Sequence, residues 1–103
     1  MIGRVWHAWT THADADAFEA IVRTEIYPAT VARNLPGFRG SQLLRLARAG
    51  QTEFVIITWF DDMEAVRRFA GDDYEKPMVT PKARALLRRS DPKPEHYEVR
   101  EII

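Results

Sequence analysis

Two stretches of the chain alternate in a way that places apolar side chains on both faces of a strand. Residues Ile2 to Thr10 are β-branched and aromatic and contain no proline, which is typical of a strand. Within it, Trp6 and Trp9 fall on opposite faces. Glu53 to Phe60 repeats this two-faced pattern. Because a strand that is apolar on both sides is covered on both sides, we predict a sheet with one layer against each face.

A long helical pattern separates these two strands. Apolar positions recur at helical spacing from Asp14 to Arg33, and Pro28 is predicted to kink or end the helix near Tyr27. Residues 34–37 (Asn-Leu-Pro-Gly) form a turn signal, and Phe38 to Ala47 follows as a strand. A second turn over residues 48–51 makes a hairpin with the next strand.

The second half of the chain completes the pattern of alternating elements. It predicts a helix capped by Asp61 or Asp62 and ended by Gly71, a helix over Lys82–Arg89 and a strand over Glu95–Ile103. The order β-α-β-β-α-β is that of the ferredoxin-like split βαβ fold, an α+β class with a four-stranded antiparallel sheet. Helices cover one face of this sheet. The other face is apolar too, so we expect a second copy to cover it and form a homodimer by sheet-to-sheet packing.

Composition excludes several classes of function. The chain has 103 residues, which predicts one domain over 1–103, and its 15 basic and 15 acidic residues cancel. A neutral chain is not typical of a nucleic-acid-binding protein. It has no cysteine, so disulfides, thiol catalysis and cysteine-ligated metals are excluded. With no long apolar run and no signal-peptide pattern, we expect no membrane association and a cytoplasmic location.

Several segments together resemble the antibiotic biosynthesis monooxygenase (ABM) family. They are the strand end Ile56–Phe60, the following Asp-x-x-Glu-Ala-Val-x-x-Phe over residues 61–69, the Leu-Pro-Gly-Phe turn over 35–38 and His96–Val99 in the last strand. The resemblance extends over essentially the whole chain and implies a dimeric α+β barrel. Members of that family include cofactor-free oxygenases of aromatic polyketides, haem-degrading enzymes and proteins with no known activity. The fold alone does not choose among them.

The chain departs from the haem-degrading members of that family. Those members carry an Asn on the first strand, a Trp in the helix after the third strand and an axial His further along. Here the first strand has Trp6 and His7, the helix has Phe69, and Tyr74 to Lys82 contains no His. The resemblance therefore argues against haem, and no cofactor is predicted.

Two histidines are candidates for acid–base chemistry. His7 lies on the first predicted strand and His96 on the last, and these strands are adjacent and antiparallel in the split βαβ fold. The two imidazoles would meet if their faces matched, and would act as an acid–base pair near neutral pH. The alternative is that both are structural, hydrogen-bonded imidazoles. No pair of histidines has metal-ligand spacing, so no metal site is predicted.

Aromatic and polar residues complete the candidate pocket between helices and sheet. Trp6, Trp59 and Phe69 are candidate walls for a planar substrate, and Tyr74 or Arg4 is a candidate partner for a developing oxyanion. With these residues as its pocket, the resemblance implies a cofactor-independent monooxygenase, or a related enzyme, acting on a small aromatic or quinone-like molecule. The alternative is that the aromatic side chains are core and fill the pocket, which would leave a non-catalytic dimeric module that binds a small ligand or a partner.

Overall fold

A computed structural model describes all residues 1–103, and it confirms the α+β class with an antiparallel sheet. The elements are β1 (Ile2–Thr10), α1 (His12–Ile21), a π-helical segment (Val22–Ile26), α2 (Tyr27–Ala32), β2 (Phe38–Arg48), β3 (Gln51–Phe60), α3 (Met63–Ala70), α4 (Pro81–Arg84), β4 (Leu87–Ser90) and β5 (Glu95–Glu98). None of the helices combines the length and apolarity that crossing a bilayer would require.

The strand β1 lies at the centre of the sheet. It pairs with β3 along its whole length, and β3 pairs in turn with β2. Along its other edge, β5 pairs with Ile2–Val5 and β4 pairs with Ala8–Thr10. The edge is thus completed by two short strands in sequence, and the segment between them contains Pro92 and Pro94, which cannot donate ladder hydrogen bonds.

The bounds predicted for the last helix and the last strand were wrong. The predicted helix Lys82–Arg89 ends at Arg84, and Leu87–Ser90 forms β4 instead. The sequence there is a good helix former, but pairing with the free edge of β1 satisfies its backbone groups and overrides that local preference. The predicted strand Glu95–Ile103 stops at Glu98.

The sheet alternates as predicted, with one face against the helices. On β1 and β3 the even-numbered positions are turned toward the helices, where Phe18, Val22 and Phe54 are fully buried. The odd-numbered positions form the outer face, which includes Val5 and Ile57 as half-buried side chains. The outer face is therefore apolar without being covered by the chain's own helices.

The predicted kink before Pro28 takes the form of a π-helical segment. Thr11 caps α1 by accepting a hydrogen bond from the backbone N–H of Asp14. At the other end of the segment, the N–H of Tyr27 bonds to the carbonyl of Val22, five residues back. Pro28 then stands in the first turn of α2, where its missing N–H costs least. The helix continues across the proline as far as Ala32.

Two glycines offer a matched test of packing at the turn before β2. Gly37 and Gly50 have nearly the same positive φ, 82° and 81°, but a Cβ on Gly37 would lie 2.6 Å from the Cβ of Ala65, whereas none of the surrounding atoms lies within 4 Å at Gly50. Gly37→Ala should therefore lower the free energy of unfolding by about 1–3 kcal/mol more than Gly50→Ala. Urea unfolding of both variants measures the difference. Equal decreases in the free energy of unfolding would show that Ala65 of α3 does not pack closely against this turn.

Candidate functional site

A row of polar side chains crosses the helix-facing side of the sheet. Ser41 on β2 is the register partner of Thr58 on β3, Thr58 is the partner of Arg4 on β1, and Arg4 is the partner of His96 on β5. Side chains on directly opposed residues have Cβ atoms about 5 Å apart. We call these four residues the polar row. The rows on either side are apolar, namely Leu43, Ile56 and Trp6 on one side and Phe38, Phe60 and Ile2 on the other.

A cavity lies between the polar row and the helices. Of its 16 lining residues 10 are hydrophobic, and they come from the sheet, from α1 and the π-helical segment, from α3 and from residues 77–79. Its atom-free space is about 630 Å³, a figure that includes the mouth open to solvent. The space open to the centre of a water molecule is only about 60 Å³, so the interior is narrow.

Arg4 is the charged group of this cavity. It is 5% exposed. Its Nη1 donates to the carbonyl of Tyr74 at 2.5 Å and its Nη2 to the carbonyl of Lys76 at 2.9 Å. Nη1 also lies 3.0 Å from Nε2 of His96. Burial lowers the pKa of Arg4 to about 10, which still leaves the guanidinium charged at neutral pH.

His96 is brought into the site by Arg4. Because a guanidinium only donates, Nε2 of His96 accepts this hydrogen bond and the imidazole carries its proton on Nδ1. Burial and then the charge of Arg4 lower the pKa of His96 below its ordinary value of 6.5. The edge of the Tyr74 ring packs against the imidazole, with centroids 5.4 Å apart. The lowered pKa keeps the imidazole neutral near pH 7, and Nε2 is the one atom at which it could accept a proton.

Three hydroxyl groups, those of Ser41, Thr58 and Tyr27, cluster at the β2 end of the polar row. The sequence analysis missed this cluster. Ser41 donates to the phenol oxygen of Tyr27 at 2.9 Å and lies 3.1 Å from the hydroxyl of Thr58. Burial raises the pKa of Tyr27. The signal in the sequence was Thr58, a polar residue at an inward position between Ile56 and Phe60. Tyr27 gave no such signal, since its face depends on the turn of the π-helical segment.

The structure places Trp6 and Phe69 on the cavity wall. The indole N–H of Trp6 donates to the carbonyl of Asp91 at 2.9 Å, which fixes the orientation of the ring. Phe69 lies beneath two guanidinium groups, those of Arg4 at 5.4 Å and Arg33 at 5.8 Å from the ring centroid. Tyr74 contributes its carbonyl and its ring edge to Arg4 and His96. Five of the seven predicted site residues are therefore brought together.

His7 and Trp59 lie on the outer face instead, away from the cavity. The expected approach of His7 to His96 does not occur, because Arg4 is the register partner of His96 and His7 lies three residues further on, with opposite parity. His7 Nδ1 pairs with the carboxylate of Asp91 at 2.6 Å. Trp59 covers Gly3 and donates its indole N–H to Gln42 at 3.0 Å.

The family comparison agrees with this architecture. The family model described as antibiotic biosynthesis monooxygenase matches residues 1–79, which include the sheet centre, the helical layer and α3. The chain belongs to the ABM family. Among curated proteins no sequence matches it.

Solved structures share the ABM fold over nearly the whole chain. A Bacillus cereus protein with the same family description has a TM-score of 0.71 at 14% identity and covers 99% of this chain and 95% of its own. SnoaB, a cofactor-independent oxygenase from Streptomyces nogalater, has a TM-score of 0.62 at 26% identity and covers 99% and 96%. A variant of MhuD, crystallised with two manganese protoporphyrin IX molecules per active site, has a TM-score of 0.66 at 18% identity and covers 100% and 98%.

The cavity of this ABM protein does not fit a haem of the usual ligation. Neither an imidazole nor a thiolate is among its lining residues, and Nε2 of His96 already accepts a hydrogen bond from Arg4. Nor does the chain bring together three or more His, Cys, Asp or Glu side chains in a metal-binding group.

The lowered pKa of His96 predicts a pH dependence of stability. Below about pH 6.5 the unfolded chain takes up a proton at this residue more readily than the folded chain does. The free energy of unfolding should therefore be highest above pH 6.5 and should decrease as the pH drops below that value, because protonation of His96 favours the unfolded chain. His96→Gln should flatten this part of the curve, measured by urea unfolding between pH 5 and 8. An NMR titration of His96 with a midpoint at or above 6.5 would contradict the prediction.

Proposed function

We propose that this ABM protein is a cofactor-independent monooxygenase that acts on a small aromatic or quinone-like molecule bound in the cavity. The observation that carries the proposal is an apolar cavity lined by the buried guanidinium of Arg4, whose Nη1 lies 3.0 Å from Nε2 of His96. The likeness to SnoaB, which is a cofactor-independent oxygenase, supports it. A reaction without a cofactor requires a substrate that supplies its own electrons.

A phenol with a free para position meets this requirement. Loss of the phenolic proton gives an electron-rich anion that reacts with O₂ at the para carbon. One oxygen atom stays as the new carbonyl of a quinone and the other leaves as water, which carries away the phenolic and the para hydrogen. The substrate supplies all four electrons, so the balance is one phenol and one O₂ to one quinone and one water. The protein must supply a dry site, a base and a group that stabilises the anion.

In this proposal the cavity residues divide these roles. Arg4 places its charge beside the oxyanion. His96 takes the phenolic proton at Nε2 once the substrate oxygen displaces the hydrogen bond that Arg4 donates there. Tyr74 is a positioning residue, because its carbonyl holds Arg4 and its ring packs against His96. Trp6 and Phe69 are the walls between which a flat ring is held.

We further propose that a second copy of the chain covers the outer face. Besides half-buried Val55, Ile57 and Trp59, this face carries Leu44 and Leu46, which are 46% and 51% exposed. Contiguous apolar area of this kind is typical of an interface. In this proposal His7 and Trp59 belong to the dimer interface and not to the cavity.

Oxygen consumption tests the proposed activity. A panel of hydroxynaphthalenes and hydroxyanthracenes should include a compound that the protein oxidises with uptake of one O₂ per quinone formed. His96→Gln should lower kcat about 100-fold, the usual contribution of a general base. His7→Gln is the matched comparison, because this histidine lies on the outer face and should leave kcat within about twofold of wild type.

The opposite pattern would refute the assignment of roles. Loss of turnover in His7→Gln and not in His96→Gln would move the base to the outer face. Tight binding of the same compounds without any oxygen uptake would instead favour the non-catalytic binding module.

A charge on the outer face tests the dimer. Ile57→Asp places a carboxylate at the centre of this face, and burying it against a second copy would be costly. The variant should elute as a monomer in size-exclusion chromatography with light scattering, or lose its fold. Val31→Asp is the control, because Val31 is 66% exposed on α2, away from the sheet. A stable dimer of the Ile57→Asp variant would exclude sheet-to-sheet packing.

A further inference from the structure

Arg4 is a buried cation without an acidic partner. It is the only charged residue among the buried ones, and it takes part in none of the ion pairs of the chain. Burying a charge is costly unless an opposite charge compensates it. The fold therefore retains a buried charge at the wall of this cavity without the counterion that such groups usually have.

The protein groups around Arg4 orient it but do not neutralise it. Its partners are two backbone carbonyls, of Tyr74 and Lys76, and the imidazole of His96. The nearby carboxylate of Glu75 is committed to Lys93 at 2.9 Å. A guanidinium has five N–H donors, and the recorded bonds engage only the two Nη atoms, so Nε remains without a protein acceptor.

The rest of the cavity also offers donors and apolar surface but no acid. No Asp or Glu is among its lining residues. At the other end of the polar row, the hydroxyls of Ser41 and Tyr27 lie 2.9 Å apart, and both residues line the cavity. The depressed pKa of Arg4 agrees with a site that lacks a compensating negative charge.

We propose that the cavity binds an organic anion, with its charged oxygen on Arg4 and its apolar body between Trp6, Ile56 and Phe69. The class comprises aromatic carboxylates and ionised phenols, which share a charged oxygen on a flat apolar body. The inference rests on the proposed function in that it concerns the same cavity. It adds that the ligand is held in the site as an anion and supplies the counterion that the fold leaves out. A neutral ligand of the same shape would leave the charge of Arg4 uncompensated.

Binding of an isosteric pair tests this inference without any turnover. 2-Naphthoate and 2-naphthamide have the same shape and differ in charge, and neither can be oxidised to a quinone by the proposed reaction. Calorimetry on the wild-type protein at pH 7.5 should give at least about tenfold tighter binding of the carboxylate. 4-Nitro-1-naphthol and its methyl ether form a second pair, which separates a preference for phenolates from one for carboxylates.

A second readout places the anion at Arg4. The charge of Arg4 lowers the pKa of His96, and the charge of Glu75 raises it. An anion bound at Arg4 offsets the charge of Arg4, so it should raise the pKa of His96. Saturating 2-naphthoate should therefore move the NMR titration midpoint of His96 upward, and 2-naphthamide should leave it in place. A merely structural Arg4 would not produce this difference.

Substitution of Arg4 completes the test. Arg4→Met should abolish the preference for the carboxylate, and Arg48→Met is the matched control, since Arg48 is exposed and paired with Glu53. Circular dichroism checks that both variants fold. If Arg4→Met does not fold, the ligand pairs and the His96 titration on the wild-type protein still decide. Equal or tighter binding of the neutral partners, or binding of the anion without a shift at His96, would overturn the inference. Anion binding without oxygen uptake would overturn the proposed function alone.

Discussion

The register of β1 against β3 is the constraint on which the rest of the molecule depends. The two strands pair from Ile2 to Thr10 without a slip, so the face of every side chain on β1 is fixed. A shift of one residue would move Arg4 to the outer face and bring His7 under the helices, because side chains alternate with a period of two. The chemistry of the cavity and the apolarity of the outer face are thus two consequences of one register.

Apolar rows hold this register around the polar row. Trp6 and Phe60 are buried against the helices, Ile56 and Ile2 are partly buried beside them, and a slip would expose all four. The polar row is tolerated between them because it is hydrogen-bonded, and no buried side-chain nitrogen or oxygen lacks a partner. Hydrogen bonding satisfies the polarity of Arg4 but not its charge, which separates this residue from Ser41 and Thr58.

The parts of the fold that the sequence predicted are those where local pattern and tertiary pairing agree. β1 and β3 are β-branched and long, and both faces of each proved apolar. The segment 82–89 was mispredicted because a helical pattern there competes with the unpaired edge of β1, and the edge prevails. Such competition is not visible in a single sequence, since it depends on which backbone groups the rest of the fold leaves unpaired.

The candidate site shows the same division. Arg4 and His96 could be placed on neighbouring strands, but which residue opposes which depends on the register, and the register pairs His96 with Arg4 and not with His7. Tyr27 was out of reach because its direction depends on a π-helical segment, which changes the helical phase without a clear sequence signal. The position of Thr58 in the site could have been predicted from the sequence. A polar residue at an inward position of β3 interrupts the pattern of apolar inward positions.

The break in the edge strand joins the two faces that β1 separates. Asp91, between β4 and β5, accepts the indole N–H of Trp6 through its carbonyl and pairs with His7 through its carboxylate. Trp6 belongs to the cavity wall and His7 to the outer face, so one loop residue contacts both. A continuous edge strand would use the backbone of this residue for the ladder alone. The interruption by Pro92 and Pro94 therefore does more than end a strand, because it frees Asp91 to position a wall of the cavity and a residue of the outer face together.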